Sequence, residues 1–161
     1  MEIKVVADRW MMPERQHQDD AGADLKADAT WRIEPGRTRM VGTGTRWEIP
    51  SGHVGLVFAR SSLAVEKGLM LANGVGVIDA GYRGEVMVPL HNCTGTFVTI
   101  DEGERIAQMV IVPIATPELV RVDGFDETTE RGVRGFGSTG KWGELYETMK
   151  AEGRSDEVRG I

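Results

Sequence analysis

The chain has 161 residues, enough to bury the core of one domain, and its single cysteine, Cys93, excludes an internal disulfide and offers no zinc framework. Its formal net charge of −6 argues against a protein that wraps nucleic acid by neutralising phosphates, so we expect no nucleic-acid partner. No apolar run approaches the length of a membrane span and the first ten residues lack a signal-peptide core, so we expect a cytoplasmic protein without membrane contact.

Short apolar segments separated by turn residues recur along the chain. The 21 glycines, scattered without a repeat, favour tight turns between short strands. We therefore predict an all-β fold, built as a sandwich, a jelly roll or a barrel. The predicted strands lie at 2–7, 45–50, 53–59, 85–92, 96–100 and 105–114.

Helical patterns are scarce. Ser62 is a candidate N-cap for a short helix through residues 62–67, which Gly68 would end. Near the end of the chain, Leu145 and Met149 are spaced i, i+4, and this spacing predicts a second short helix at 144–152.

The segment NGVGVIDAGYRGEV, residues 73–86, contains a carboxylate framed by glycines. A hairpin here would hold Asp79 at a defined place near its tip. Two readings stay open for Asp79: an ordinary turn residue, or a carboxylate positioned for chemistry.

Other segments offer groups that could bind an anion. In ARSSLA, residues 59–64, an arginine and two hydroxyls stand at a predicted helix start, where helix capping is the alternative reading. Asp24 lies beside Gly22, and Gln108 interrupts an otherwise apolar strand, where a buried amide needs a partner.

The segment GFGSTGKW, residues 135–142, is one residue away from a phosphate-binding P-loop. Trp142 replaces the hydroxyl that would bind Mg²⁺, and the preceding residues are polar and charged instead of forming a buried strand. A P-loop is therefore excluded. A terminal tail and a glycine-rich phosphate clamp of another design both remain open.

Five segments in one order resemble the five motifs of the trimeric dUTPases. They are AGADLKA, ARSSLA, NGVGVIDAGYRGEV, GERIAQMVI and RGVRGFGSTG, which together run from residue 21 to residue 140. The resemblance implies a jelly-roll-like distorted β-barrel and a homotrimer with active sites shared between chains. It also implies hydrolysis of dUTP to dUMP and pyrophosphate, with Mg²⁺ on the triphosphate.

The resemblance also implies a role for each matching residue. Asp79 matches the base that activates the water attacking the α-phosphorus. Asn73 matches the residue that reads uracil, and Tyr82 matches the ring under the deoxyribose that excludes a 2′-hydroxyl. The implied phosphate contacts are Arg60, Ser61, Ser62 and Gln108, and Asp24 would reach Mg²⁺ through water.

The last motif implies a mobile clamp over the nucleotide at residues 131–140. Arg131 would hold the γ-phosphate and Phe136 would stack on uracil, with further substrate contacts from Gly137, Ser138 and Thr139. The dUTPase domain would then span residues 1–140. Residues 141–161 would form a helical or disordered extension, a candidate contact for a protein partner.

Two rival functions remain to be weighed. A dCTP deaminase shares the fold that the resemblance implies, but Pro89 stands where deaminases have a proton-shuttling glutamate, and proline cannot carry a proton. The other rival is a nucleotide-gated regulatory module, in which the same site switches the binding of a partner protein.

Overall fold

The structure is a computed structural model that describes residues 1–126, 129, 132, 148, 149 and 151. The chain divides into two compact units, residues 1–117 and residues 118–161. In the described part of the chain, no helix is long and apolar enough to cross a membrane.

The first unit contains eleven strands and one α-helix, and a 3₁₀ turn covers Arg9–Met11. The elements are β1 (Lys4–Val6), β2 (Ala23–Lys26), β3 (Trp31–Ile33), β4 (Thr38–Gly42), β5 (Arg46–Glu48), β6 (His53–Ala59), α1 (Ser61–Lys67), β7 (Leu69–Leu71), β8 (Gly76–Ile78), β9 (Met87–Asn92), β10 (Val98–Ile100) and β11 (Arg105–Pro113).

The strands pair antiparallel in four sheets. The largest has the order β2-β11-β6-β8, a second has the order β4-β9-β7, and β1-β5 and β3-β10 form two-stranded sheets. This architecture confirms the predicted all-β, jelly-roll-like fold with one short helix.

The core is formed by one face of each main sheet. Along β9, Val88, Leu90 and Asn92 are buried while Met87 is exposed, the alternation expected of a strand with one covered face. Trp47 of β5 and Leu63 of α1 are also buried in this core.

Asn92 is a buried polar residue whose side chain connects three segments. Its Nδ2 donates to the carbonyls of Ile33 at 3.0 Å and Thr96 at 2.8 Å. Its Oδ1 accepts from the backbone N–H of Thr94 at 2.9 Å and from the Thr94 hydroxyl at 2.8 Å. All of its polar atoms are therefore satisfied without water.

We expect Asn92→Leu, which keeps the branched shape but removes these bonds, to lower the free energy of unfolding by about 2–4 kcal/mol. The main cause is that the buried carbonyl of Ile33 loses its partner at a cost of roughly 1–3 kcal/mol, while the partly buried groups of Thr94 and Thr96 also lose theirs but can bond to water. Urea denaturation measures the effect, and Asn73→Ala at an exposed position is the control. Equal midpoints for the two variants would contradict the expectation.

Several predicted elements need correction. Five strands were not predicted: β2, β3, β4, β7 and β8. Ser62 is not the helix cap, because α1 begins at Ser61 and its N-cap is Arg60, which makes no side-chain capping bond. Gly68 does end the helix, at φ 62°, with its N–H bonded to the carbonyl of Ala64 at 3.0 Å.

The predicted hairpin around Asp79 is also wrong. The strand before this residue, β8, pairs with β6, whereas the strand after it, β9, pairs with β4 and β7. The Asp79 turn therefore joins two sheets instead of closing a ladder between neighbouring strands.

The second unit is described only in part. Arg121 and Asp123 form an exposed ion pair at 3.4 Å. Thr148, Met149 and Ala151 are helical and fall within the predicted C-terminal helix, whose other residues lie outside the described part. The predicted domain boundary at residue 140 remains a prediction.

Candidate active site

Asp24 lies between two arginines in the largest sheet. One carboxylate oxygen, Oδ1, is 3.0 Å from Nε of Arg60, and the other, Oδ2, is 3.2 Å from an Nη of Arg105. Asp24 is only 8% exposed, whereas the two arginine side chains are partly open to solvent. We call these three residues the Asp24 cluster.

Strand order explains why these residues meet. The central strand β11 pairs with β2 on one side and with β6 on the other, so Gln108 lies opposite Asp24 and Ala107 lies opposite Ala59. Arg60 directly follows the end of β6. The pairing of β11 with β2 shifts its register between Arg105 and Ala107, in the part of β11 that lies beside the end of β6.

Arg60 reaches Asp24 through Nε, so the terminal Nη groups of its guanidinium are left without partners in the described part of the chain. Arg105 uses only one Nη for Asp24. Because a guanidinium has five N–H donors in a fork that matches carboxylate and phosphate oxygens, both arginines keep donors for an anionic ligand.

Gln108 has the partner that its position requires. Its Nε2 donates to the carbonyl of Ala59 at 3.3 Å. Gly22 packs closely against the same side chain, since a Cβ added there would be 3.0 Å from Cβ of Gln108 and still closer to its Oε1. The amide is therefore held at the end of β6, beside Arg60.

The two serines follow Arg60 in the first turn of α1. Ser61 is exposed and Ser62 is half-buried, and neither hydroxyl makes a hydrogen bond to any residue that the structure describes. Ser62 lines a cleft of about 300 Å³ together with Arg60 and Arg105. Hydroxyls and guanidinium groups with free donors suit a phosphate ligand.

Three further predicted site residues lie around β8: Asn73 comes before the strand, and Asp79 and Tyr82 come after it in residues 79–85, which we call the Asp79 turn. The backbone N–H of Tyr82 donates to the carbonyl of Asp79 at 3.0 Å, and its hydroxyl donates to the carbonyl of Glu85 at 2.9 Å. Arg83 folds back onto the turn and donates to the carbonyls of Ala80 and Tyr82 at 2.6 and 2.8 Å.

The Asp79 carboxylate itself is exposed. It makes no hydrogen bond or ion pair with any residue in the described part of the chain, although its backbone is fixed by the turn. Asn73 is also exposed and lies in the connection from β7 to β8, at the end of β8 opposite to Asp79. The turn therefore presents a carboxylate whose oxygens can accept a hydrogen bond from a ligand or from water.

The Asp24 cluster and the Asp79 turn lie at opposite ends of β6. Ile78, the residue before Asp79, pairs with Gly55, while Arg60 lies beyond the far end of the strand. At a rise of about 3.3 Å per residue, the distance from Gly55 to Arg60 is roughly 17 Å. One chain does not bring the two groups together.

The remaining predicted residues, Arg131, Phe136, Gly137, Ser138 and Thr139, lie outside the described residues. Arg105, in contrast, was not predicted. Its signal was a charged residue at the start of an otherwise apolar strand, but only the pairing of β2 with β11 places it beside Asp24.

The donor groups can be tested against the Mg²⁺ that the resemblance implies. Among the described residues, no three His, Cys, Asp or Glu side chains lie close enough together to hold a metal ion. Mg²⁺ keeps several waters and commonly binds one or two carboxylates plus substrate phosphates. Asp24 has oxygen lone pairs beyond those used by the arginines, so the residues fit an ion carried mainly by a polyphosphate.

Comparison with known proteins assigns the fold and the motifs to one family. The dUTPase family model matches residues 8–140. A deoxyuridine 5'-triphosphate nucleotidohydrolase from Corynebacterium efficiens is 47% identical over 131 residues, which cover 81% of this chain and 72% of the relative. The protein of the same name from Mycolicibacterium gilvum is 46% identical over 134 residues, covering 80% and 87% of the two chains.

Solved structures of phage dUTPases are also similar. The dUTPase of Staphylococcus bacteriophage 80alpha with dUpNHpp has a TM-score of 0.80 and 34% identity, covering 87% of this chain and 99% of that one. A variant dUTPase of S. aureus phage phi11, described with a structural Mg(II) ion, has a TM-score of 0.73 and 30% identity, covering 79% and 100%. These matches confirm the resemblance seen in the five motifs, and the chain belongs to the dUTPase family.

Proposed function

We propose that this protein hydrolyses dUTP to dUMP and pyrophosphate, in cytoplasmic nucleotide metabolism, with Asp79 as the general base. The observation that carries the proposal is the exposed Asp79 carboxylate, which has no partner in the described part of the chain and stands on a turn held by hydrogen bonds. A general base must be fixed in place yet free to accept a proton from water.

The reaction requires one proton transfer at Asp79. A water molecule donates its proton to this carboxylate while its oxygen forms a bond to the α-phosphorus. The bond from the α-phosphorus to the oxygen that bridges to the β-phosphorus breaks, and pyrophosphate leaves with that oxygen. Catalysis then depends on alignment of the water with the leaving group and on charge stabilisation at the phosphates.

The Asp24 cluster is the proposed site of charge stabilisation. Asp24 holds Arg60 by its Nε and leaves the Nη fork for phosphate oxygens. Ser61, Ser62 and Gln108 are the further phosphate contacts that we propose in this cluster. Preorganised donors of this kind lower the barrier because they need no rearrangement as charge develops.

Asn73 and the Asp79 turn would recognise the nucleoside. Asn73 would pair with the polar edge of uracil, and the Tyr82 ring would lie under the deoxyribose and exclude a 2′-hydroxyl. Arg131, Phe136, Gly137, Ser138 and Thr139 would close over the bound nucleotide, a role that rests on their match to the last family motif.

Mg²⁺ is the proposed cofactor, and when bound it would neutralise part of the triphosphate charge. Asp24 is the residue that would contact it, through water. The same carboxylate holds Arg60 and Arg105, so its position is fixed before substrate arrives.

A homotrimer with shared sites is part of the proposal. Asp79 must come within hydrogen-bonding reach of the attacking water, yet within one chain it lies roughly 17 Å along β6 from Arg60. A neighbouring chain that supplies its Asp79 turn to this Asp24 cluster would complete the site.

Exposed apolar side chains support association of several copies. Met40, Met70 and Met87 are 49%, 47% and 36% exposed and lie on the three strands of the β4-β9-β7 sheet. Apolar groups clustered on a surface are typical of protein contacts. Light scattering of the purified protein tests the trimer.

Substrate selection tests the proposed reaction directly. With dUTP, dCTP and UTP offered separately, we expect rapid release of pyrophosphate from dUTP and discrimination against dCTP of roughly 10⁴-fold, because a mismatched base leaves buried polar groups unpaired. Chromatography of the products distinguishes dUMP from dUTP formed by deamination of dCTP. Comparable turnover of dCTP and dUTP would contradict the proposed base recognition.

A further inference from the structure

The side chain of Tyr82 folds back over its own turn instead of extending into solvent. Its hydroxyl donates to the carbonyl of Glu85 at 2.9 Å, and its backbone N–H donates to the carbonyl of Asp79 at 3.0 Å. The residue is nevertheless 45% exposed, so part of its surface stays open to a ligand. Tyr82 is thus anchored at its backbone and at its hydroxyl, and part of it can still contact a ligand.

Gly84 lies directly against this ring. A Cβ added at Gly84 would be 2.9 Å from Cε2 of Tyr82 and 2.5 Å from Cζ, and closer still to the hydroxyl oxygen. Carbon atoms in contact prefer about 3.5–4.0 Å, so any side chain at this position would displace the ring by about 1 Å.

The backbone does not explain why residue 84 is a glycine. Among the described residues, the glycines with positive φ do not include Gly84, so an alanine could adopt the same backbone conformation. An added Cβ would instead occupy the space in which the Tyr82 ring lies. Gly81, in the same turn, also lacks a positive φ, and apart from its two chain neighbours nothing lies within 4 Å of its added Cβ.

We infer that Gly84 is a specificity-determining positioning residue: by leaving room for the Tyr82 ring, it sets how well the protein distinguishes a deoxyribonucleotide from a ribonucleotide. The inference rests on the proposed function, in which the ring lies under the sugar. Gly84 itself contacts no substrate and acts only through the ring.

The predicted effect is on the choice of sugar. Gly84→Ala would force the ring away from its place and break its bond to the Glu85 carbonyl, so the ring would no longer fit closely beneath C2′. One methylene more or less in a substrate pocket changes the discrimination between two substrates by roughly 10–200-fold. We therefore expect the ratio of kcat/KM for dUTP to that for UTP to fall by about 10-fold or more.

The experiment measures this ratio for the wild type and for Gly84→Ala, with Gly81→Ala as the matched control that adds the same methyl group to open space. We expect the control to keep the wild-type ratio. If Gly84→Ala instead displaced Asp79, hydrolysis of dUTP and of UTP would slow equally and the ratio would stay unchanged. A ratio for Gly84→Ala equal to that of the control overturns the inference.

Two additions keep the test decisive. Tyr82→Phe removes the bond to Glu85 without adding volume, so it replaces Gly84→Ala if that variant fails to fold. We expect a smaller fall in the ratio, and an unchanged ratio would then overturn the inference. The chain has two tyrosines, so ¹³C-tyrosine NMR of the full-length protein reports ring displacement directly. We expect one ring signal to shift in Gly84→Ala and neither to shift in Gly81→Ala.

The outcomes separate the inference from the proposed function. A wild-type protein that releases no pyrophosphate from dUTP refutes the proposed function. An active wild type whose ratio does not respond to Gly84→Ala refutes only the role of Gly84. Unshifted tyrosine signals in Gly84→Ala refute the positioning of the ring, whichever substrate the enzyme uses.

Discussion

Asp79→Asn should lower kcat for dUTP hydrolysis by about 10²–10⁴-fold, the usual contribution of a general base. The amide keeps the shape of the side chain but cannot take a proton from water. Because the Asp79 turn is held by backbone carbonyls and by the side chains of Tyr82 and Arg83, we expect its conformation to persist. Pyrophosphate release measures kcat.

Two controls accompany this variant. Calorimetric titration with a non-hydrolysable dUTP analogue should give an affinity close to that of the wild type, which separates chemistry from binding. Asp101→Asn replaces another exposed carboxylate, in the connection from β10 to β11, and should leave kcat unchanged. Near-normal turnover by Asp79→Asn would remove this residue from the mechanism.

A mixture of two inactive variants should recover about a quarter of the wild-type activity if active sites are shared between chains. The variants are Asp79→Asn, which damages the turn, and Arg60→Gln, which damages the Asp24 cluster. In trimers assembled at random from equal amounts, one site in four would combine an intact Asp79 from one chain with an intact Arg60 from another.

The test requires coexpression of the two chains and native mass spectrometry to establish that mixed trimers form. Each variant alone serves as a control, and its kcat should fall by at least about 100-fold. A general base and a preorganised hydrogen-bond donor each contribute about this factor to kcat. Mixed trimers that are no more active than the separate variants would show that each site lies within one chain.

The longest strand that the sequence predicted with its exact bounds shows what makes a strand predictable. Segments such as β6, with the sequence HVGLVFA, combine β-branched and aromatic residues between clear turns, and its bounds of 53–59 were predicted correctly. The strands that were missed are short or carry charges, as in WRI of β3 and TRMVG of β4. Their conformation depends on pairing with distant strands, which one segment of sequence does not reveal.

The sequence indicated the candidate site residues through their motifs, but it did not indicate how these residues are arranged in space. Residue order identified Asp24, Arg60 and Asp79, whereas strand pairing decides that the first two meet and that the third lies elsewhere. Arg105 and Gly84 were missed for the same reason. Arg105 is recognised by its ion pair with Asp24, and Gly84 is recognised by the Tyr82 ring that lies against it.

The pairing of Asp24 with two arginines has a consequence for product release. Two guanidinium groups and one carboxylate give the cluster a net charge of +1 instead of +2. A weaker positive potential reduces the retention of a small polyanion, because Coulomb attraction scales with the charge of each partner. If the cluster binds the phosphates as proposed, free pyrophosphate, which lacks the nucleoside contacts of dUTP, would therefore be held less firmly after cleavage. In the proposed mechanism, the carboxylate that orders the arginines would thus also limit product inhibition.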